Sequence, residues 1–246
     1  MEPVYEKSFS VRSYEIDSRG RVRPTALLNY IQEAAGDHAL LLGVAVRDLF
    51  PQRLTWVISR MHLTLPGSIS SRDELVVRTW PSTREGRFTC REFELFSAGR
   101  LTGAATASFA VLDISTRRPI SIDERLPPYP LLARRAVADN FATIPRLTDP
   151  ESELSFRVGR GDLDINNHVN NVVYAEWALE TVPATVADES FLLDMEIAYR
   201  AETLYGETVV SRCGSIPDPT GSAFLHQLWR PGDNAELARI ITRWRR

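Results

Sequence analysis

Val158-Gly-Arg-Gly-Asp-Leu-Asp-Ile-Asn-Asn-His-Val169 repeats the layout of an earlier stretch of this 246-residue chain, Val11-Arg-Ser-Tyr-Glu-Ile-Asp-Ser-Arg-Gly-Arg-Val22, at a distance of 147 residues. Further matches follow when that distance is kept: Asp17 with Asp164, Tyr30 with Trp177 and Glu33 with Glu180. Self-similarity at a fixed distance indicates a duplicated structural unit. The chain therefore contains two copies of one structural unit.

Each copy has the same predicted order of elements. A short strand (Phe9 to Tyr14, and Phe156 to Gly159) leads through a polar turn into an amphipathic helix. The helices are predicted at about Pro24 to Leu42 and Val169 to Thr181, the second ending before a proline. Behind each helix come four runs that alternate and are rich in Val, Ile, Phe and Trp, as half-buried antiparallel strands are.

This order predicts an α+β fold in which each copy is a curled antiparallel sheet wrapped around one helix. The predicted domains are residues 1–112 and 151–246, with a Pro-rich linker at 113–150. Two copies with exposed sheet edges are expected to pair into one continuous sheet that imitates a twofold dimer. A monomer and a homodimer both remain open.

Composition excludes several classes of protein. The net charge of −3 argues against a nucleic-acid binder, although residues 1–130 carry about +2 and residues 131–246 about −5. No apolar run reaches the roughly 18 residues of a membrane span, and no leader peptide is visible, so a cytoplasmic protein is expected. Two cysteines, Cys90 and Cys213, form neither a disulfide framework nor a metal-binding spacing. A Gly-x-Ser-x-Gly elbow is absent, which argues against an α/β-hydrolase.

Three polar residues, Asp164, Asn166 and His168, alternate just before the second helix. An extended backbone places alternate side chains on one face, beside the unpaired N–H groups of a helix N-terminus. An imidazole next to an amide is suited to acyl transfer. A helix cap with a surface histidine fits the isolated motif equally well. The first copy keeps the aspartate but has Arg19 and Arg21 at the other two positions, which favours chemistry in the second copy alone.

Glu202 shows the same contrast between the copies. It follows the strand that ends at Tyr199, whose first-copy counterpart runs into Leu65-Pro-Gly-Ser-Ile69 with no acid at the matching place. Taken alone, a glutamate at a strand end fits a solvated surface position.

Together these residues resemble a known family. Asp162-Leu-Asp-Ile-Asn-Asn-His-Val-Asn-Asn-Val-Val-Tyr174, with Trp177 and Glu180, followed by Tyr199-Arg-Ala-Glu202, is similar to the signature of the acyl-acyl carrier protein (acyl-ACP) thioesterases of plants and their bacterial relatives. The resemblance covers nearly the whole chain. It implies a tandem, or double, hotdog fold and hydrolysis of the thioester between a fatty acyl chain and the phosphopantetheine arm of acyl carrier protein, without metal or cofactor.

The resemblance also implies roles for individual residues. The catalytic set of the family falls on Asp164, Asn166, His168 and Glu202. Many members have a cysteine directly after the glutamate, whereas this chain has Thr203, so a thiol nucleophile is not expected. We expect the backbone N–H groups of Val169 and Asn170 to form an oxyanion hole. Asp164 is expected to hold the loop and Asn166 to position the water or the thioester.

The first copy is expected to serve binding rather than chemistry. The resemblance places the acyl chain in its helix–sheet gap, with Leu27, Ile31 and Trp56 as tunnel residues, although an ordinary core role suits them as well. Acyl carrier protein is acidic, so Arg19, Arg21 and Arg23 are a predicted docking patch. Lack of a plastid leader favours a bacterial, cytosolic enzyme. Two other functions stay open: an acyl-coenzyme A thioesterase of the hotdog type and a non-catalytic acyl-binding module.

Overall fold

A computed structural model describes residues 2–67, 69, 74–219 and 221–246 of the chain. These residues form two compact units, Met1–Asn140 and Phe141–Arg246. Each unit consists of one antiparallel sheet with a helix against it, which confirms the predicted fold class.

The first unit contains the predicted strand, helix and four strands in that order, together with three short elements that were not predicted. The elements are β1 (Tyr5–Ser10), α1 (Pro24–Leu41), α2 (Val46–Leu49), β2 (Leu54–Thr64), β3 (Glu74–Glu85), β4 (Phe88–Ser97), β5 (Arg100–Asp113), β6 (Arg118–Pro119) and α3 (Ile122–Arg125), of which α2, β6 and α3 were not predicted. The sheet has the order β1-β3-β4-β5-β2, and β6 pairs with β5. Helix α1 packs against β1 and β3 through a buried face that includes Leu27, Ile31 and Ala34.

The second unit repeats this topology. Its elements are β7 (Ser152–Arg157), α4 (Asn171–Leu179), α5 (Ala184–Glu189), β8 (Phe191–Tyr199), β9 (Thr208–Ile216), β10 (Ser222–Arg230) and β11 (Ala235–Arg245). The strand order is β7-β9-β10-β11-β8, which is the order of the first unit with each strand replaced by its counterpart. Helix α4 packs on β9, β10 and β11.

Strand register relates the two units residue by residue. Phe9 pairs with Leu75 in the first unit, and Phe156 pairs with Val209 in the second. Because Phe9 and Phe156 are 147 residues apart, Leu75 corresponds to Val209, and the strands after the helix correspond at a distance of 134.

Several predicted boundaries differ from the structure, including the following two. The first strand ends at Ser10 rather than Tyr14, and Ser13–Glu15 forms a 3₁₀ turn instead. The second helix begins at Asn171 rather than Val169, because the Asn170 side chain caps it by accepting the N–H of Val172 at 3.0 Å.

Parts of the Pro-rich segment at 113–150 pack within the two units. Its residues up to 140 belong to the first unit, where the Trp80 indole donates to the carbonyl of Arg134 at 2.8 Å. Its later residues belong to the second unit, where Ile144 packs with Ala198, Leu225 and Ile241. A Cβ atom on Gly214 would lie 2.6 Å from the carbonyl oxygen of Asp149, so glycine permits this close approach. None of the helices among the described residues is long and apolar enough to cross a membrane.

Candidate active site

The histidine loop, residues 159–170, is organised by Asp164. One carboxylate oxygen, Oδ1, accepts the backbone N–H of Asn166 at 2.8 Å and that of His168 at 3.3 Å. The Asp164 N–H in turn donates to the carbonyl of His168 at 2.8 Å, which closes the turn. Asn167 occupies the left-handed region at φ 62°, a conformation that asparagine tolerates better than most residues.

The glutamate loop, residues 200–206, runs beside the histidine loop. An isolated antiparallel bridge joins His168 to Leu204, and the Val169 N–H donates to the carbonyl of Thr203 at 3.0 Å. This pairing brings His168 Nε2 to 3.5 Å from Glu202 Oε2, with both side chains 38% exposed. The two residues are 34 positions apart in sequence and adjacent in the fold, and water can reach both.

The buried Tyr174 and the partly buried Tyr199 attach the glutamate loop to the start of α4. The Tyr174 hydroxyl donates to the carbonyl of Ala201 at 3.3 Å, and the Tyr199 hydroxyl donates to the carbonyl of Asn171 at 3.2 Å. Burial raises the pKa of both hydroxyls, and the Glu202 carboxylate raises the pKa of Tyr174 further. Both tyrosines therefore stay protonated and act as hydrogen-bond donors.

Asn166 lies at the exposed tip of the histidine loop. Its amide Nδ2 is 3.4 Å from Asp164 Oδ2, a long contact that leaves most of the amide's hydrogen-bonding capacity unused. The structure thus places Asp164, Asn166 and His168 on one loop and brings Glu202 to the histidine from the neighbouring loop.

The predicted oxyanion donors are already engaged in this structure, which corrects the sequence-based expectation. The Val169 N–H donates to Thr203, and the Asn170 N–H donates to the carbonyl of Asp162 at 2.8 Å. Both bonds belong to the backbone that holds the two loops together. The helix begins two residues later than predicted, so these N–H groups belong to the loop and are not free donors of a helix N-terminus.

Neither Cys213 nor Thr203 is arranged as a nucleophile. Cys213 is buried in the second unit, and burial raises the pKa of its thiol to about 11, which keeps it in the unreactive protonated form. The Thr203 side chain is fully buried and its hydroxyl donates to Glu207 at 2.9 Å.

The predicted tunnel residues lie in the first unit. Leu27 and Ile31 are buried on α1. Trp56 is partly buried and donates from its indole to the carbonyl of Val44 at 2.7 Å, and it packs against the cluster of Leu49, Leu54, Val111, Ile122 and Leu126. These contacts are those of a core, and an additional role in holding an acyl chain stays a prediction.

The predicted docking arginines differ from one another. Arg19 and Arg23 are exposed, whereas Arg21 is half-buried and binds Asp17, with Nε 2.8 Å from Oδ2. The Asp17 carboxylate neutralises much of the Arg21 charge, so the docking role falls mainly on the other two arginines and stays a prediction.

Sequence analysis missed two residues that support the glutamate loop, Glu207 and Arg230. Burial would raise the pKa of Glu207, but hydrogen bonds from the Leu204 N–H, the Thr203 hydroxyl and Arg230 lower it overall, so the carboxylate stays ionised. Arg230 comes 28 residues after Glu202, at the end of β10. No local pattern announces such a contact, because only the strand order of the sheet brings the two positions together.

A metal site at this position would need more ligands than the loops supply. His168 and Glu202 offer two ligand atoms, whereas a bound zinc ion takes three or four from a protein. Within the described part of the second unit, no third histidine, cysteine or carboxylate joins them in a cluster.

Almost the whole chain matches proteins of one known family. Residues 2–127 match the N-terminal domain, and residues 146–246 the C-terminal domain, of the acyl-ACP thioesterase family. Oleoyl-acyl carrier protein thioesterase 1 of Arabidopsis thaliana is 31% identical over 98% of this chain and 76% of its own length.

Two further proteins are similar. Palmitoyl-acyl carrier protein thioesterase of Cuphea hookeriana is 27% identical over 98% of this chain, which spans 62% of that relative's length. The solved structure of the 12:0-ACP thioesterase from Umbellularia californica superimposes with a TM-score of 0.87 at 23% identity, covering 100% of this chain and 98% of the other, and so shares the fold.

Proposed function

The chain belongs to the acyl-ACP thioesterase family and is a thioester hydrolase, and we propose that His168 and Glu202 are the groups with which it hydrolyses fatty acyl chains from acyl carrier protein. The observation that carries this assignment is the 3.5 Å approach of His168 Nε2 to Glu202 Oε2 in a place that water reaches.

In the proposed reaction, His168 or Glu202 takes a proton from a water molecule, and the water oxygen attacks the thioester carbonyl. The carbon–sulfur bond then breaks, the fatty acid leaves with the new oxygen, and the pantetheine sulfur takes up the proton. An imidazole next to a carboxylate suits both proton steps, because the carboxylate stabilises the imidazolium that forms in between. The 3.5 Å separation is one that substrate binding can shorten.

The negative charge that develops on the carbonyl oxygen needs a donor, and we assign this role to the Asn166 amide. Its Nδ2 makes one long contact at 3.4 Å, so it can turn towards a substrate oxygen. A single donor of this kind typically lowers the barrier by about 3 kcal/mol. Asp164 supports the assignment because its carboxylate fixes the backbone of both Asn166 and His168.

The assignment is tested with steady-state hydrolysis of an acyl-ACP series by the whole chain, with matched acyl-coenzyme A esters as the comparison. His168→Ala and Glu202→Gln should each lower kcat by about 10²- to 10⁴-fold, the usual contribution of acid–base catalysis. The control is His62→Ala, which breaks another imidazole–carboxylate pair, His62 Nδ1 to Asp139 Oδ2 at 2.8 Å, and should leave kcat within about twofold. If His168→Ala or Glu202→Gln kept the wild-type kcat, the residue replaced in that variant would have no part in the mechanism.

Glu202 can act through water or attack the carbonyl itself to give a mixed anhydride. A single turnover in ¹⁸O-labelled water tests the route in which water opens the anhydride at the Glu202 carbonyl carbon, because that attack leaves label in the Glu202 carboxylate. We propose the water route, for which the Glu202 peptide should carry no label.

The first unit is the proposed site of the acyl chain, with Leu27 and Ile31 in the lining, and Arg19 and Arg23 are proposed contacts to acyl carrier protein. A bacterial, cytosolic setting also stays a proposal.

A further inference from the structure

Arg230 makes an unusual set of contacts at the end of β10. Its Nη1 donates both to the backbone carbonyl of Glu202 at 3.1 Å and to Glu207 Oε2 at 2.9 Å. Its Nε and Nη2 donate to the two carboxylate oxygens of Asp233 at 2.9 and 2.7 Å. Asp233 thus fixes the orientation of the guanidinium through two hydrogen bonds, and the remaining nitrogen, Nη1, contacts the glutamate loop.

Glu207 adds further contacts to the glutamate loop. One oxygen, Oε2, accepts the Leu204 N–H at 2.8 Å and the Thr203 hydroxyl at 2.9 Å as well as Arg230. Three successive residues are therefore held: the carbonyl of Glu202, the side chain of Thr203 and the N–H of Leu204. We call Arg230 and Glu207 the loop brace.

The loop brace and the histidine loop hold Thr203 through different groups. The Thr203 carbonyl accepts the Val169 N–H at 3.0 Å, and its hydroxyl donates to Glu207 at 2.9 Å. The backbone of the glutamate loop is consequently fixed from two sides, and the direction of the Glu202 side chain follows from that backbone.

The Arg230 half of the brace has no arginine at the matching position of the first unit. By strand register Phe96 pairs with Val76 as Trp229 pairs with Val210, so the position of Arg230 is occupied by Ser97 in the first unit. A serine side chain is too short to join a loop carbonyl to a carboxylate. The brace accompanies the unit that has His168 and a nearby glutamate.

We propose that Arg230 and Glu207 are positioning residues that set the Glu202 carboxylate against His168. The inference rests on the proposed function, because it gives Glu202 a catalytic role to be positioned for. A displacement of about 1 Å in a catalytic group can cost on the order of 100-fold in rate, so a brace on the loop backbone can control activity without touching the substrate.

The primary test replaces Arg230 with Met, and Glu207 with Gln, in the whole chain and measures acyl-ACP hydrolysis. Each variant should lower kcat by about 10- to 100-fold and leave KM within about twofold, because the binding surface is unchanged. The matched control is Arg212→Met, which removes a comparable ion pair on the same sheet, Arg212 Nε to Glu153 Oε2 at 2.6 Å, and should keep wild-type kcat.

A double-variant comparison separates positioning from general destabilisation. In a Glu202→Gln background, Arg230→Met should lower the remaining rate by less than about twofold, since no carboxylate is left to be positioned. An equal loss in both backgrounds overturns the inference, and so does wild-type kcat in Arg230→Met. Wild-type kcat in Glu202→Gln alone would instead refute the proposed function.

A third variant covers the case in which Arg230→Met does not fold. Arg230→Lys keeps the charge beside Glu207 but has one nitrogen and cannot reach Glu202, Glu207 and Asp233 together. It should fold and show a smaller loss of kcat than Glu207→Gln. A folded Arg230→Lys enzyme with wild-type kcat counts against the inference.

Discussion

The loops at residues 12–23 and 159–170 have nearly the same backbone and different chemistry. Three backbone hydrogen bonds recur at matched positions. The Asp17 N–H donates to Arg21 O at 2.7 Å, as the Asp164 N–H donates to His168 O at 2.8 Å. The other two pairs are Arg23 N–H to Glu15 O at 2.9 Å with Asn170 N–H to Asp162 O at 2.8 Å, and Val22 N–H to Ile69 O with Val169 N–H to Thr203 O, both at 3.0 Å. The aspartate-centred turn is therefore architecture that both units need, and it does not by itself indicate catalysis.

The side chains distinguish the two loops. In the first, Arg21 folds back onto Asp17, so the Asp17 carboxylate is paired within its own loop. In the second, the Asp164 carboxylate contacts the backbone N–H groups of the loop and the Asn166 amide. The His168 imidazole lies beside Glu202 instead. The residue that corresponds to Glu202 is Ser68, which lies outside the described residues. The proposed catalytic function therefore rests on side chains that the first loop lacks, on a turn that both loops share.

The strongest way to break this comparison is to give the second loop the side chain of the first. His168→Arg should let the new guanidinium pair with Asp164 as Arg21 pairs with Asp17, so the loop keeps its backbone. The imidazole is lost, and we expect kcat to fall by about 10³-fold. Acyl-ACP hydrolysis measures the rate, and thermal unfolding checks that the midpoint stays within a few degrees.

The reciprocal variant, Arg21→His, serves as the control. It removes a half-exposed ion pair worth under about 1 kcal/mol and should leave kcat unchanged. If His168→Arg retained substantial kcat, the difference between the loops would have no catalytic meaning.

A second contrast lies in the sheets. By register Phe93 and Thr79 in the first unit correspond to His226 and Cys213 in the second. His226 is fully buried, and burial lowers its pKa from 6.5 to about 3. The native state thus keeps this imidazole neutral while the unfolded state binds a proton below pH 6.5, so stability falls as the pH decreases from 6.5 towards 3. At pH 5 we expect a loss of about 2 kcal/mol from this group.

His226→Phe should remove that share of the pH dependence. The variant loses contacts to the Thr181 and Thr242 hydroxyls, at 3.2 and 2.9 Å, so it should be less stable at pH 7.5. Urea unfolding at pH 7.5 and pH 5 should nevertheless differ by about 2 kcal/mol less than in the wild type. His38 in the first unit, whose pKa burial lowers to about 4, should account for a similar remaining share. An unchanged difference would show that His226 is not the source.

Sequence patterns predicted most of the fold because the repeat and the alternation are local. Both helices, the four strands behind each and the aspartate turns lie where expected. Boundaries failed where a side chain decided them, as at Asn170, whose capping bond moves the helix start.

The site was predictable only in part. The residues of the histidine loop could be read from the contrast with the first copy, whereas the approach of Glu202 required the resemblance to a known family. The state of the Val169 and Asn170 N–H groups depends on which carbonyls the fold brings near, and Arg230 reaches the glutamate loop only through the order of strands. Such contacts between distant segments leave no periodic signal.

The smallest expected effect concerns the left-handed residue of the turn. Gly20 has φ 75° in the first loop and Asn167 has φ 62° in the second. Asn167→Gly relieves backbone strain but gives the unfolded chain more freedom, and the two effects should nearly cancel, to within about 0.5 kcal/mol. Asn167→Ala cannot relax the strain and should cost about 1 kcal/mol.

Neither Asn167 variant should change kcat, because the side chain is assigned no role beyond permitting the turn. Urea unfolding and acyl-ACP hydrolysis measure the two quantities side by side. A tenfold loss of kcat in Asn167→Gly, with stability preserved, would mean that the amide at this position takes part in the chemistry. The two loops would then differ at a third functional position, and the turn could no longer be treated as shared architecture.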